Sequence, residues 1–226
     1  MMVISVEEQL KRIEEKKKKD SLIYSVLDGS AYAVMAGFGE NFLNPFAIEL
    51  GATNQQLGFF ASVPQLIGSA LQLFSAYLVD FWKKRRLLIC IAVLFQALMW
   101  LPLFAIPFLP QSWWLSTAMV FVVLYFVFGH FASPPWNSLM GDLVSPDKRG
   151  FFFGKRNKIT GCITFLSIFA GGLILYYFQK TSVQEIGIFT GFSIIFAIAM
   201  FARLVSLYFW LFSHFRQVFA VNFGIF

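Results

Sequence analysis

Six apolar blocks, each long enough to cross a bilayer, constrain this chain more than any other feature of its sequence. They run approximately over 22–45, 57–79, 87–108, 113–140, 159–178 and 186–212. A helix needs roughly 20 apolar residues to cross a hydrocarbon core of about 30 Å, at about 1.5 Å per residue. The blocks lack the alternation of a barrel strand and are about twice too long for one. Helices are the remaining way to satisfy the backbone in lipid. Turn or charge signals bound the blocks: Asn44-Pro45, the run Lys83 to Arg86, Pro107 to Pro110, and Pro146 to Gly150. Composition agrees, since 58% of the 226 residues are hydrophobic and 13% charged, which excludes an ordinary soluble domain and a disordered chain alike. The expected fold is an all-α membrane protein of six transmembrane helices.

The basic residues set the expected topology. Of the 18 Lys and Arg, sixteen lie before the first block, in the loops between the second and third and between the fourth and fifth, or after the sixth. Lys180 alone lies in the other loops, and Arg203 lies inside a block. Both termini and the two basic loops are therefore expected to be cytoplasmic in a plasma-membrane protein. The net charge of +6 becomes a topology signal, and no nucleic-acid partner is expected. Three segments follow: a basic leader over 1–20, a six-helix bundle over 21–212, and a short cytoplasmic tail over 213–226 that reads as a truncation point. Within the leader, Val3, Val6, Leu10 and Ile13 recur at helical spacing. Glu7–Lys11, Glu8–Arg12, Glu14–Lys18 and Glu15–Lys19 are i,i+4 pairs with the acid first. A short amphipathic helix on the inner leaflet is one reading and a solvated leader the other.

Enzyme chemistry finds little support. Cys90 and Cys162 sit singly in apolar blocks, and His130 and His214 fall in no metal-binding pattern. The sequence has neither a phosphate-binding GxxxxGK[ST] loop nor a GxSxG nucleophile elbow. No enzyme activity, metal or cofactor is expected.

Two loops carry a resemblance. Ala76 through Arg86 places Asp80 before the basic run Lys83, Lys84, Arg85 and Arg86. This resembles the Gly-xxx-Asp-Arg-x-Gly-Arg-Arg signature of the major facilitator superfamily, with Ala76 and Lys83 standing at its two glycines and Phe81 at its first arginine. The stretch Trp136 to Asn157, with Asp142, Arg149-Gly150 and Gly154-Lys155-Arg156 in order, is similar to the loop between spans four and five of that family. The resemblance covers about residues 20–212 and implies the amino-terminal half of a transporter, two inverted three-helix repeats. It also implies that Asp80, Lys83, Lys84, Arg85, Asp142, Arg149, Gly150 and Arg156 form a cytoplasmic charge latch for gating. Gly154 and the pair Gly171-Gly172, with Gly161, are expected to allow close helix approach.

Ionisable residues inside a bilayer cost several kcal/mol unless paired or hydrated, so they are candidates for a solute or ion path. Ser25, Asp28, Tyr32, Gly39 and Glu40 share one face of span one. In span four, Tyr125, His130, Ser133 and Asn137 precede or flank Pro134-Pro135, read as a break in the helix. Gly39-Glu40 with Pro45 parallels Gly129-His130 with Pro134, and interrupted helices at corresponding positions point to a binding site. Arg203 lies at the depth of Asp28 to within a turn and is expected to pair with it, the alternative being snorkelling to the inner headgroups. The path candidates are thus Asp28, Tyr32, Glu40, His130, Asn137 and Arg203.

The expected activity is secondary transport of a small solute by alternating access, with a coupling proton compatible with Asp28, Glu40 and His130. The family's usual twelve spans imply a partner, either a missing carboxy-terminal half or a second copy of this chain. The alternative is a non-transporting remnant or scaffold in the lipid bilayer that needs such a partner.

Overall fold

A computed structural model describes residues 6–181 and 186–212. The described residues form eight α-helices: α1 (Val6–Phe38), α2 (Leu43–Glu49), α3 (Asn54–Trp82), α4 (Arg85–Leu98), α5 (Trp100–Ala105), α6 (Trp114–Leu143), α7 (Arg149–Thr181) and α8 (Ile186–Phe212). Six stretches among them are long and apolar enough to cross a membrane: Glu15–Glu49, Asn54–Trp82, Arg85–Phe108, Gln111–Leu143, Pro146–Lys180 and Gly187–Phe212. These are the six expected spans. The two extra helices come from spans one and three, each of which is broken once.

Local chemistry accounts for the breaks and the starts. Span one leaves α1 at Phe38 and turns through a 3-10 segment, Glu40–Phe42, into α2. Span three breaks between Leu98 and Trp100, where Pro102 can donate no hydrogen bond to Leu98 and crowds its carbonyl. Thr53 opens α3 through a capping box with Gln56, the Gln56 N–H donating to the Thr53 hydroxyl and the Thr53 N–H to the Gln56 amide, which satisfies two donors that a helix start leaves free. The leader is not a separate helix, because α1 runs unbroken from Val6 through Asp20 into span one. The tail over 213–226 lies outside the described residues.

Span four corrects one expectation. Pro134 and Pro135 lie inside α6, which continues across them. Pro135 leaves the Phe131 carbonyl without its intrahelical donor. Ser75 of α3 supplies one, its hydroxyl donating to that oxygen at 2.6 Å. A neighbouring helix thus restores the bond the proline removes, as lipid demands of any freed backbone group.

The packing has an internal symmetry. Span one (α1) packs mainly on spans five and six (α7, α8), and span four (α6) mainly on spans two and three (α3, α4), while α4 also meets α8. Exchanging spans one, two and three for four, five and six maps each of these contacts onto another, which is the pattern of two interlocked three-helix repeats. One end of the bundle is sealed by an apolar core of Met35, Phe46, Trp100, Tyr125, Phe192 and Phe196 with their neighbours. Phe46 sits 5.1 Å from Phe192 and 4.9 Å from Phe196, ring to ring. Among the glycines expected at close helix contacts, Gly171 does pack against Phe42, whereas Gly154, Gly161 and Gly172 face open space.

Candidate functional site

Four of the six expected path residues line one cavity of about 270 Å³: Asp28 and Tyr32 of α1, Asn137 of α6 and Arg203 of α8. Ser133, Trp136, Arg156 and Trp210 share its wall. The cavity lies on the side of the bundle nearer the two basic loops, below the sealed apolar end.

Two of its charged groups, Asp28 and Arg203, are held in a closed network. Asp28 is 6% exposed and Arg203 5%, and a bare charge there would be costly. The Ser206 hydroxyl joins them, donating to Asp28 Oδ1 at 2.5 Å and accepting from Arg203 Nη1 at 2.9 Å. Trp210 is a further side-chain partner of Asp28. Arg203 Nε donates to Gln96 Oε1 of α4 at 2.8 Å. Gln96 can approach because residue 129 of α6 is glycine; a Cβ there would come within 2.6 Å of the Gln96 amide nitrogen. The expected Asp28–Arg203 pair therefore exists through an intermediary, and Arg203 does not snorkel.

Tyr32 extends the network along α1. Its ring lies 5.0 Å from the Arg203 guanidinium carbon, within cation–π range. Its hydroxyl donates to Glu40 Oε1 at 3.1 Å, and the fully buried Tyr125 donates to the same oxygen at 2.6 Å. Glu40 thus stands at the far end of a continuous polar chain from Asp28, where the helix of span one breaks. It does not line the cavity itself.

His130 stands elsewhere. Its Nδ1 is 3.3 Å from Gln72 Oε1 and its Nε2 2.8 Å from Gln65 Oε1, both on α3. A neutral imidazole donates to one amide and accepts from the other when that amide is turned. Gly68 opens the space for the ring between them. The structure thus joins span four to span two through His130 and leaves it out of the cavity that Asp28 and Arg203 share. The parallel drawn between Gly39-Glu40 and Gly129-His130 fails on this point, and on the unbroken course of α6.

Compared with known protein families, the chain matches the profile of the Major Facilitator Superfamily over residues 30–218. The chain belongs to this superfamily. No curated protein and no solved structure gives a significant match. Members are transporters and not enzymes, so the chain is that of a multi-pass membrane transporter of the major facilitator superfamily, with six candidate spans among its described residues.

The residues of the family's loop motifs do not act as one unit. Arg85 and Asp142 form an ion pair at 2.5 Å that ties the start of span three to the end of span four. Arg86 and Arg149 cap helix ends. Arg86 Nε donates to the Trp210 carbonyl at 2.8 Å and its Nη2 to that of Leu211, at the end of α8. Arg149 reaches the Gly141 and Val144 carbonyls at the end of α6, at 2.6 and 3.0 Å. Cations there meet the negative end of the helix dipole. Lys83, which stands where the family motif has glycine, adopts the left-handed conformation at φ 52°, the geometry for which glycine is favoured. Asp80 and Lys84 are exposed and make no hydrogen bond or ion pair among the described residues, and a Cβ at Gly150 would meet nothing.

Arg156 stands apart from the other motif residues and corrects the expected latch. It sits two turns into α7, not in a loop, and faces the cavity. Its Nε donates to the Ser25 carbonyl of α1 at 3.3 Å, and its guanidinium carbon lies 4.9 Å from the Trp136 ring.

Gln96, Ser206 and Trp210 escaped the sequence reading, which weighed ionisable residues first. Gln96 carried a usable signal, an amide inside the apolar run Val93 to Ala97, where a polar side chain needs an interhelical partner. Ser206 and Trp210 carried none, since serine and tryptophan are ordinary in spans.

Proposed function

We propose that this chain forms one half of a secondary active transporter that moves a small solute by alternating access, with the cavity around Asp28, Arg203 and Arg156 as its solute site. The observation that carries this reading is a charged, 270 Å³ cavity inside a bundle whose opposite end is packed with aromatic side chains. The chain would lie in the plasma membrane with both termini cytoplasmic, following the distribution of its basic residues. A coupling proton would be carried by Asp28 or Glu40, the two carboxylates of the polar chain.

A second six-helix body completes the proposal, either a carboxy-terminal half or a second copy. In the apolar 18-residue stretch of each span, only 17% of span two and 11% of span five is buried, against 44% of spans one, three and six. Lipid can cover the apolar part of those faces. It is a poor cover for Ser69, and for the part of the Gln65 amide that His130 does not engage, both exposed midway along α3 and costly to bury in hydrocarbon without further partners.

Uptake and efflux by proteoliposomes, measured over a solute panel with and without an imposed proton gradient, test the reading. Saturable flux of at least one solute is expected, with loss of its proton dependence in Glu40→Gln or Asp28→Asn. Absence of flux for every solute, with the chain correctly inserted and a second body supplied, favours the scaffold reading that spans two and five also allow.

A further inference from the structure

We propose that the solute taken into this cavity is a small monoanion with an apolar body, a carboxylate gripped by Arg156; this rests on the transport reading above and names its substrate class. Three charged side chains line the cavity: Asp28, Arg203 and Arg156. Asp28 and Arg203 answer one another through Ser206, and Arg203 also has Gln96. Arg156 forms no ion pair among the described residues, and Asp28, the carboxylate that acts on it across the cavity, is already held by Ser206. Its Nε is held by a backbone carbonyl, and among the described residues its two terminal nitrogens have no hydrogen-bond partner.

The site around Arg156 is built to hold a guanidinium in place. Trp136 lies against its face. Gly29 of α1 leaves the space for it, since a Cβ at residue 29 would collide with the guanidinium group. Fixed in this way, the two terminal nitrogens form a planar fork, the geometry that takes a carboxylate through two parallel hydrogen bonds. Two cations and one carboxylate leave the cavity one positive charge in excess, and a cleft with an excess of one sign of charge draws in a ligand of the other. Glu40 does not supply that anion, because both phenols hold it at the far end of Tyr32. Ile89, Val93 and Trp210 line the remainder with apolar surface. The volume of about 270 Å³ falls just below the roughly 300–1,000 Å³ of ordinary small-molecule pockets, so the ligand is small.

Three probes with one aromatic body separate the charge from the shape: benzoate and its neutral isostere benzamide, with benzylammonium as the cation, titrated calorimetrically against the full chain in lipid nanodiscs. Benzoate is expected to bind at least tenfold more tightly than benzamide, and benzylammonium more weakly than either. Arg156→Gln is expected to raise the benzoate Kd about tenfold and abolish the preference, with Arg156→Lys intermediate. The comparison within the unmodified protein decides the question even if a variant fails to fold. Equal binding of benzoate and benzamide, tighter binding of benzylammonium, or a preference that survives Arg156→Gln overturns the assignment. In those cases the cavity is still a solute site and the transport reading stands. Absence of binding by all three overturns the assignment too, while transport falls only with the flux panel.

Discussion

Spans one and four are equivalent under the internal repeat, yet their polar clusters follow different rules. On span one, Asp28 is nearly sealed, and it is satisfied by Ser206 and Trp210 of α8, with Arg203 and then Gln96 of α4 behind them. On span four, His130 is half-buried and bridges two neutral amides of a single neighbouring helix. The first cluster holds opposite charges and needs three helices to close it. The second holds none in its neutral form and needs one. A full charge within a bilayer forces long-range closure, whereas a neutral polar group settles for a local partner.

Breaking the charged cluster should show the largest effect. Arg203→Gln leaves Asp28 buried without its counter-charge and is expected to cost about 3–5 kcal/mol of stability, measured by denaturant unfolding in detergent. Asp28→Asn in the same chain should recover at least half of that loss. Simple additivity of the two changes would show that the groups are not coupled. Gln96→Leu comes next. It removes the acceptor for Arg203 Nε and should cost about 1.5–3 kcal/mol, as expected for a hydrogen bond to a charged group. His130→Ala probes the other side of the comparison and should cost only about 1 kcal/mol, because interhelical bonds between neutral groups contribute modestly in membranes. A loss as large as that of Arg203→Gln would mean that the two clusters do not differ in kind.

The smallest effect on stability is expected from the loop latch. The Arg85 and Asp142 side chains are 32% and 50% exposed, and such pairs contribute roughly 0–1 kcal/mol. Arg85→Ala should therefore leave unfolding nearly unchanged while altering the transport rate, if the latch serves gating. Unchanged transport together with unchanged stability would leave the ion pair without a role.

Particular residues show what was legible in advance. The six spans were readable because a bilayer demands about 20 apolar residues and an internally bonded backbone. Those requirements act along the chain, one segment at a time. The Asp28–Arg203 association was legible as a matter of depth, since both positions can be counted in turns from the basic side. Ser206 as the bridge was not, because which serine stands between two charges depends on the rotation of α8 against α1. His130 looked like a path residue from its place in span four; the facing amides of α3 claimed it. Arg156 looked like part of a loop, and the extension of α7 back to Arg149 turned it into a cavity residue.

The order and length of the spans, the basic loops between them and the membership in the superfamily belonged to the sequence by itself, since each follows from local composition or a contiguous motif. The polar partners belonged to the tertiary structure. Helix rotation and crossing choose them, and the lipid, which offers no hydrogen bonds, makes every such choice costly to get wrong.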